Sequence, residues 1–325
     1  MVTLVTGGAG FVGKHLVAAL RARGEKVRVL DIKPVTYVDA IAGSVTDGRS
    51  AEEACDGATS VFHLAGDARL WAPNARVFDE VNHQGTRVML KAARAAGVSR
   101  FVQCSSLTTL VAAEVPIGPS VANENTRIPP ERLIGPYPKS KARADAAVEE
   151  AVAEGFDASI AIPTEPLGAG DDGLTPPTRM MLDFARGKTP AYINCTLNFV
   201  PVECLADGLI AVRDRGDCGE KYLLGGQNIP MQTLLEALGR MVGRKMPRLA
   251  LPYSFALAAG IVDTHIVSRI TAKEPKAPLT GVRLAGRQVS FSSEKSASSL
   301  DWRASDFNAA LQQTVDWFRE KGMIS

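Results

Sequence analysis

The 325-residue sequence has few of the residues that build disulfide frameworks or metal sites. Its five cysteines are widely spaced, odd in number and without a CxxC pair, and its four histidines do not stand at ligand spacing. We therefore expect reduced thiols, as in a cytoplasmic protein, and no metal site.

An excess of charge and a long hydrophobic run are also missing. The 37 basic and 35 acidic residues leave a net charge of +2, which argues against a dedicated nucleic-acid-binding protein. The first residues have no basic region or long apolar core, so no signal peptide is predicted. The longest uncharged apolar run, 249–262, is interrupted by Pro252 and Gly260. Because a bilayer span takes about 20 apolar residues, we expect no transmembrane helix.

Short β-rich runs alternate with helical patterns in the first half of the chain. The β-rich runs are Val2–Thr6, Lys26–Asp31, Ser60–Ala65, Phe101–Cys104 and Ala158–Ile162, and the helical stretches are Phe11–Arg23, Ser50–Ala54, Ala75–Ala96 and Tyr137–Glu154. Such alternation is typical of parallel strands joined by right-handed crossovers. It predicts an α/β fold with a doubly wound, Rossmann-type parallel sheet.

A glycine-rich turn, TGGAGFVG, follows the first predicted strand and opens the first predicted helix. Gly7 permits a tight turn, Gly10 lets a pyrophosphate approach the backbone, and Gly13 allows close packing of helix on strand. The free N–H groups at the helix start, around Phe11 and Val12, favour bound phosphate. This strand–turn–helix context predicts a dinucleotide site, and a glycine-rich turn without a ligand is the alternative.

Asp31 ends the second predicted strand, where an acidic side chain accepts hydrogen bonds from an adenosine ribose and repels a 2′-phosphate. It favours NAD, while nearby Lys33 keeps NADP open. We expect residues 1–165 to form the NAD(P)-binding domain, with segments near 195–225 returning to it. Residues 166–325, where proline and glycine are frequent at the start, are expected to form mainly a smaller substrate-binding lobe.

The stretch GPYPKSK places Tyr137 and Lys141 four residues apart on one helix face. Pro136 and Pro138 mark the first turn of that helix, where backbone N–H groups have no intrahelical partner. A free phenol has a pKa of about 10, and lowering it to about 7 takes roughly 4 kcal/mol. A close ammonium together with an oxidised nicotinamide can supply that stabilisation, which makes Tyr137 a candidate general acid–base.

Two serines follow the predicted strand that reads FVQC. Ser105 and Ser106 stand on the carboxyl edge of the sheet, where ligands bind in open α/β folds. Because a hydroxyl can donate to one oxygen and accept from another, either serine can polarise a substrate carbonyl.

Taken together, these motifs make the chain resemble the extended short-chain dehydrogenase/reductases of the NAD-dependent epimerase/dehydratase group. The resemblance covers nearly the whole sequence, through TGGAGFVG, HLAG at 63–66, VNHQGT at 81–86, VQCSSL, the Tyr137–Lys141 pair and a late KSASSLDW. It implies that Tyr137 moves the hydroxyl proton, that Lys141 contacts the nicotinamide ribose and that Ser106 holds the substrate oxygen. It also implies a homodimer through the helices at 75–96 and 137–154.

The same resemblance implies a set of cofactor contacts around the glycine turn and the catalytic pair. Beyond Gly7, Gly10, Phe11, Val12, Gly13, Asp31, Tyr137 and Lys141, they are Ser44, Val45, Leu64, Ala65, Gly66, Asn82, Ser105 and Pro163. Ser44 stands where the family usually has an acidic residue, which leaves the adenine contact open.

Within the group, DARLW at 67–71, GKTPAY at 187–192 and LLGGQN at 223–228 are similar to the hopanoid-associated epimerase-like branch. That branch is close to dihydroflavonol reductases and 3β-hydroxysteroid dehydrogenases. Nucleotide-sugar epimerases usually carry an Arg-Asp pair where this chain has Leu197 and Asn198. Losing the arginine that meets the sugar diphosphate favours a less charged substrate.

The resemblance therefore favours oxidation or reduction of a bulky hydrophobic substrate, with a 3β-hydroxysterol or triterpenoid as the main hypothesis, including decarboxylating oxidation of a sterol 4-carboxylate. A nucleotide-sugar 4-epimerase or dehydratase is the first alternative, and a non-catalytic NAD-sensing protein is the second. Segment 249–270 is expected to line an apolar pocket or to touch a membrane surface, and an ordinary buried helix is the other interpretation.

Overall fold

The computed structural model describes residues 2–114, 120–271 and 273–325. Its strands are β1 Val2–Thr6, β2 Lys26–Asp31, β3 Asp39–Ala42, β4 Ala58–His63, β5 Arg100–Cys104, β6 Ser120–Ala122, β7 Ala158–Pro163, β8 Glu165–Leu167, β9 Ala191–Ile193, β10 Thr196–Pro201, β11 Lys221–Leu224, β12 Gln227–Pro230, β13 Leu249–Leu251 and β14 Val289–Phe291. Its helices are α1 Phe11–Ala22, α2 Gly48–Cys55, α3 Arg76–Phe78, α4 Gly85–Ala95, α5 Pro136–Ala153, α6 Pro176–Ala185, α7 Val202–Arg215, α8 Met231–Val242, α9 Tyr253–Val262, α10 Ser268–Thr271, α11 Leu279–Ala285, α12 Glu294–Ser299 and α13 Phe307–Glu320.

Within this described part, seven parallel strands form one sheet in the order β3–β2–β1–β4–β5–β7–β11. The chain starts in the middle of the sheet, runs outward to β3, and then returns to the other side of β1 with β4. The strand order therefore reverses between β1 and β4. Ligands of such sheets bind outside the carboxyl ends of the strands at this reversal.

Helices cover both faces of the sheet. Helices α1 and α7 pack on one face and α2, α4 and α5 on the other. Because side chains alternate along a strand, Leu4 belongs to the core under α4 and α5 while Val5 belongs to the core under α1 and α7. Both cores are largely aliphatic, as expected of strands that are buried on both sides.

The second half of the chain builds a smaller lobe beside the carboxyl edge. A short sheet in the order β12–β10–β8 packs on α6, α8 and α13 around a core that includes Phe199, Leu238 and Phe318. Strands β13 and β9 form one pair, and β14 and β6 form another. Strand β11 instead lies at the edge of the large sheet, beside β7. In the residues the structure covers, no helix is both long and apolar enough to cross a bilayer.

The predicted α/β class is confirmed, and the five strands predicted in the first half lie within two residues of their observed ends. The predicted long helix at 75–96 is present as α3 and α4, joined by a π-helical turn at Asp79–Gln84. Strand β3 was not predicted. It is short and lies at the sheet edge, with a mostly exposed surface that gives no buried-strand pattern.

Candidate active site

Four connections at the carboxyl edge of the sheet carry many of the residues predicted to bind the cofactor. The glycine turn follows β1, residues 64–66 follow β4, Ser105 and Ser106 follow β5, and Pro163 ends β7. Because all these strands are parallel, their ends lie along one edge of the sheet. The fold thus brings together side chains that are more than 150 residues apart in sequence.

The glycine turn has the geometry of a phosphate cradle. Gly7 has a φ of +73°, and a Cβ there would lie 2.8 Å from the backbone nitrogen of Ala65. A Cβ on Gly13 would overlap the carbonyl oxygen of Gly7 and lie 2.8 Å from Cα of Gly8. No side chain caps the start of α1, and its first turn has no acidic residue. The open amides and the positive end of the helix therefore fit a pyrophosphate.

Asp31 lies beside this turn at the end of β2. Its Oδ2 accepts a hydrogen bond from the amide of Ala9 (2.9 Å), and its Oδ1 accepts one from the amide of Lys33 (2.9 Å). Each carboxylate oxygen retains a free lone pair for a ribose hydroxyl. Strand β3 places Ser44 and Val45 just past the same edge, since the amide of Gly43 bonds to the carbonyl of Asp31.

A first prediction concerns the choice of dinucleotide. In Asp31→Asn, NAD affinity is expected to fall about tenfold, the cost of one charge-assisted hydrogen bond, while NADP affinity rises because a repelling charge is gone. Fluorescence titration with NADH and NADPH measures both, and Glu53→Gln, which removes an exposed carboxylate on α2, is the control for general charge. Tighter binding of NADPH than NADH by the unmodified protein would show that Asp31 does not select the cofactor.

Tyr137 and Lys141 lie side by side on α5, and both are buried. The phenol ring packs on Phe78, with 6.3 Å between ring centroids, and the Tyr137 hydroxyl lies near Ser106, whose Oγ accepts hydrogen bonds from the amide (3.3 Å) and the hydroxyl (3.0 Å) of Thr108. The Lys141 ammonium donates to the carbonyl of Cys104, the last residue of β5. Helix α5 therefore places both groups against the end of β5, where the serines follow.

The start of α5 is held by a glycine and covered by a lobe helix. Gly135, the N-cap residue, has a φ of +88°, and a Cβ there would lie 2.6 Å from Oγ1 of Thr280 on α11. Helix α11 also approaches the DARLW segment, because a Cβ on Gly281 would lie 3.1 Å from Leu70. The lobe thus packs directly over the first turn that carries Tyr137.

Burial raises the pKa of Tyr137 to about 12, and the nearby Ser106 hydroxyl opposes this only in part. The nearby carboxylates of Asp145 and Asp67 raise the pKa further. Reaching a pKa of about 7 therefore takes roughly 7 kcal/mol rather than the 4 kcal/mol expected for a free phenol. The folded protein alone therefore keeps this phenol protonated at neutral pH.

Two residues predicted to contact the cofactor have side chains that bond inside the protein. The Ser105 hydroxyl donates to Oδ2 of Asp145 (2.5 Å). Asn82 donates to Oγ of Ser140 (2.9 Å) and to the carbonyl of Asp67 (3.0 Å), and its Oδ1 accepts from the amide of Asp67 (2.7 Å). Asn82 lies in the π-helical turn, a feature frequent at functional sites. These contacts favour supporting roles, in which Asn82 ties the loop after β4 to α5.

Sequence reasoning did not single out two carboxyl groups of this region, Asp145, which is buried, and Glu165, which is half-buried. Asp145 follows Lys141 by one helix turn, and burial raises its pKa to about 6. Glu165 opens β8 two residues after Pro163. Burial raises the pKa of Glu165 to about 8, and its Oε2 has no hydrogen-bond partner in the described chain. For Asp145, the four-residue spacing from Lys141 could have indicated in the sequence that it lies on the same helix face.

Comparison with known proteins identifies the family of this chain. The family model described as "NAD dependent epimerase/dehydratase family" matches residues 3–225. The chain belongs to this family.

Two curated relatives match this chain over nearly its whole length. It is 31% identical to a putative dihydroflavonol 4-reductase of Synechocystis, over 98% of this chain and 95% of the relative. It is also 31% identical to sterol demethylase protein B of Methylococcus capsulatus, over the full length of both. The crystal structure of gox2253 superposes with a TM-score of 0.86 at 32% identity, covering 100% of this chain and 99% of that one.

Family membership establishes the class of chemistry. The protein is an NAD(P)-dependent oxidoreductase of the extended short-chain dehydrogenase/reductase type, and NAD is the cofactor of its family. Solved UDP-glucose 4-epimerases, such as that of Thermotoga maritima with a TM-score of 0.79 at 20% identity, share its fold.

Proposed function

We propose that the enzyme interconverts a secondary alcohol and a ketone on a bulky hydrophobic substrate, best represented by a 3β-hydroxysterol or triterpenoid. The observation that carries this proposal is that Leu197 and Asn198 make contacts within the protein and that neither is a cation. Leu197 packs against the lobe core, and Asn198 bonds to both backbone polar groups of Gly226 and to the side chain of Asn228. Neither position offers a cation to a sugar diphosphate.

The candidate residues divide the chemistry among them. Bound NAD supplies the hydride acceptor for oxidation, and NADH supplies the donor for reduction. In the oxidation direction, the Tyr137 phenolate accepts the proton of the substrate hydroxyl as the carbonyl forms. Ser106, which lies beside the phenol, holds the same substrate oxygen. Lys141 presents a cation beside the nicotinamide ribose and so favours the phenolate.

Two relatives support a sterol substrate. Besides sterol demethylase protein B, the chain is 27% identical to mouse sterol-4-alpha-carboxylate 3-dehydrogenase (decarboxylating), over 97% of this chain and 90% of the relative. Oxidation of a 3β-hydroxysterol that carries a 4-carboxylate gives a β-keto acid, which loses carbon dioxide with little further help. We therefore include decarboxylating oxidation in the proposal.

The test is absorbance-monitored NAD reduction with 3β-hydroxysterols, with and without a 4-carboxylate. The proposal predicts net NADH formation and a ketone product. A nucleotide-sugar 4-epimerase would instead interconvert UDP-sugars without net reduction, and a non-catalytic NAD-sensing protein would bind NAD and turn over neither substrate. UDP-sugar turnover without sterol oxidation would overturn the proposal.

We propose further that segment 249–270 contacts a membrane surface. It is not a buried helix, since Phe255 is 69% exposed and Ile270 is 80% exposed, and only Ala256 and Gly260 of α9 are buried. Residues 244–287 contain eight lysines and arginines and two acidic residues. An exposed apolar helix inside a basic segment suits the interface of an anionic bilayer.

This apolar segment adjoins the candidate active site. Helix α9 packs on α11, where a Cβ on Gly260 would lie 3.2 Å from Val282. Helix α11 in turn covers Gly135 at the start of α5, the helix that carries Tyr137. A membrane that receives α9 would therefore lie beside the part of the lobe that covers Tyr137, which suits a substrate drawn from lipid.

Vesicle co-sedimentation measures this contact. The protein is expected to bind vesicles that contain an anionic phospholipid more tightly than pure phosphatidylcholine. Replacing both Phe255 and Ile270 by glutamine is expected to weaken binding at least tenfold, because each buried side chain contributes about 1.5–3 kcal/mol. Val121→Gln is the matched control, since Val121 is 73% exposed but lies outside the segment. Equal losses in both variants would contradict the assignment.

We also propose that the protein forms a homodimer through α4 and α5. The two helices lie together, and their outer surface carries ion pairs between Arg87 and Glu150 and between Arg94 and Glu154. Light scattering on the purified protein gives the subunit count directly.

A further inference from the structure

Asp145 stands on the same face of α5 as the catalytic candidates. Tyr137, Lys141 and Asp145 follow one another at four-residue intervals, and all three are buried. Oδ2 of Asp145 accepts the Ser105 hydroxyl, while Oδ1 is buried without a hydrogen-bond partner among the described residues. A buried carboxylate with an unfilled acceptor is rare enough to need an explanation.

The ammonium of Lys141 needs a compensating charge. Lys141 is 6% exposed, and one of its three N–H donors has a partner in the described structure, the neutral carbonyl of Cys104. A buried cation is costly unless an anion lies near it. The other lysine close to Asp145, Lys221, forms its own ion pair with Glu149 at 2.8 Å. Asp145 faces both lysines, and it is the buried carboxylate that supplies an opposite charge to Lys141.

We propose that Asp145 is a positioning residue for the cofactor-side machinery, fixing the Ser105–Ser106 turn through one oxygen and balancing the Lys141 ammonium with its charge. The inference rests on the proposed role of Lys141 as the contact of the nicotinamide ribose. In this arrangement, Lys141 stays charged and in place to hold the ribose. Asp145 itself touches neither cofactor nor substrate.

The stability effect of Asp145 distinguishes this role from a structural one. Burial raises the pKa of Asp145 to about 6, so the native state binds this proton more tightly than the unfolded chain does. The stabilising contribution of Asp145 is then present at low pH and is lost as pH rises through about 6. Asp145→Asn removes an ionised buried carboxylate, which is stabilising, and also the charge that balances Lys141, which is destabilising, so these opposing effects are expected to leave Tm nearly unchanged at neutral pH.

Ionisable groups on three elements face Asp145 and enter its titration. They are Tyr137, Lys141 and Glu149 on α5, Lys221 on β11 and Cys104 on β5. Removing Glu149 gives a charge control, because it lies one turn beyond Asp145 and its side chain is half exposed.

The experiment compares the unmodified protein, Asp145→Asn and Glu149→Gln by NADH fluorescence titration and thermal unfolding, at about pH 7.5 and about pH 5. At the higher pH, Asp145→Asn is expected to bind NADH about fivefold more weakly without a fall in Tm, while Glu149→Gln behaves as the unmodified protein. Lowering the pH is expected to weaken NADH binding by the unmodified protein toward the level of Asp145→Asn, whose own affinity stays constant.

Unchanged NADH affinity in Asp145→Asn overturns the proposal. Weaker affinity accompanied by a Tm lowered by several degrees also overturns it, because that result shows a structural role alone. Both readouts are independent of the substrate, so a failure of the sterol assignment leaves this test intact.

Discussion

Replacing Tyr137 by phenylalanine is expected to lower the turnover of the enzyme about 1000-fold, within the range for losing a general acid–base. The variant keeps the ring that packs on Phe78 and loses the hydroxyl that lies near Ser106. NADH affinity and Tm are therefore expected to change little. Steady-state kinetics, NADH titration and thermal unfolding of the same preparation measure the three quantities.

Tyr222→Phe is the matched control for this variant. Tyr222 is also fully buried, and its hydroxyl accepts a hydrogen bond from the amide of Asp217 at 2.8 Å, away from the carboxyl edge. A variant of this kind removes one buried hydroxyl without touching the candidate site. If Tyr137→Phe and Tyr222→Phe retain the same turnover, Tyr137 does not move the proton.

Gly13→Ala is expected to abolish NAD binding, with affinity reduced at least 100-fold. The added Cβ would overlap the carbonyl oxygen of Gly7, so α1 and the turn must move apart and the phosphate cradle opens. Because Gly13→Ala can also prevent folding, the milder variant Gly10→Ala is measured in the same experiment. A Cβ on Gly10 would lie 3.1 Å from the Gly7 oxygen, a contact that small shifts relieve, and we expect about tenfold weaker binding with the fold intact.

Gly48→Ala serves as the control for the glycine variants, because a Cβ there meets no atom within 4 Å. NADH titration and circular dichroism of the three variants separate loss of binding from loss of fold. Full NADH affinity in a folded Gly13→Ala protein would show that the cofactor does not use this turn.

The features that the sequence predicted well are those set by local patterns. The alternation of strands and helices, the glycine turn and the Tyr137–Lys141 spacing each lie within one element or one connection. Chain direction in a parallel sheet then places their ends at one edge. Family resemblance added Asn82 and Ser105, whose side chains the structure shows bonded within the protein.

The remaining features depend on tertiary contacts that no local pattern contains. The charge balance around Asp145 arises only when α5 packs against the end of β5. Helix α9 is apolar on every side, so its periodicity cannot tell a buried helix from an exposed one, and the lobe leaves much of it open. The high pKa of Tyr137 likewise follows from burial, which the i, i+4 spacing does not reveal.

The ionisation of Tyr137 with and without cofactor tests the central claim most directly. Ultraviolet difference titration of the unmodified protein against Tyr137→Phe isolates the absorbance of this one phenolate. Without cofactor, the pKa is expected near the value of about 12 that burial imposes. With NAD bound, we expect a fall of several units toward neutrality, caused by the positive charge of the nicotinamide, since the Lys141 ammonium is present in both states. A pKa that stays the same when NAD binds would contradict the account.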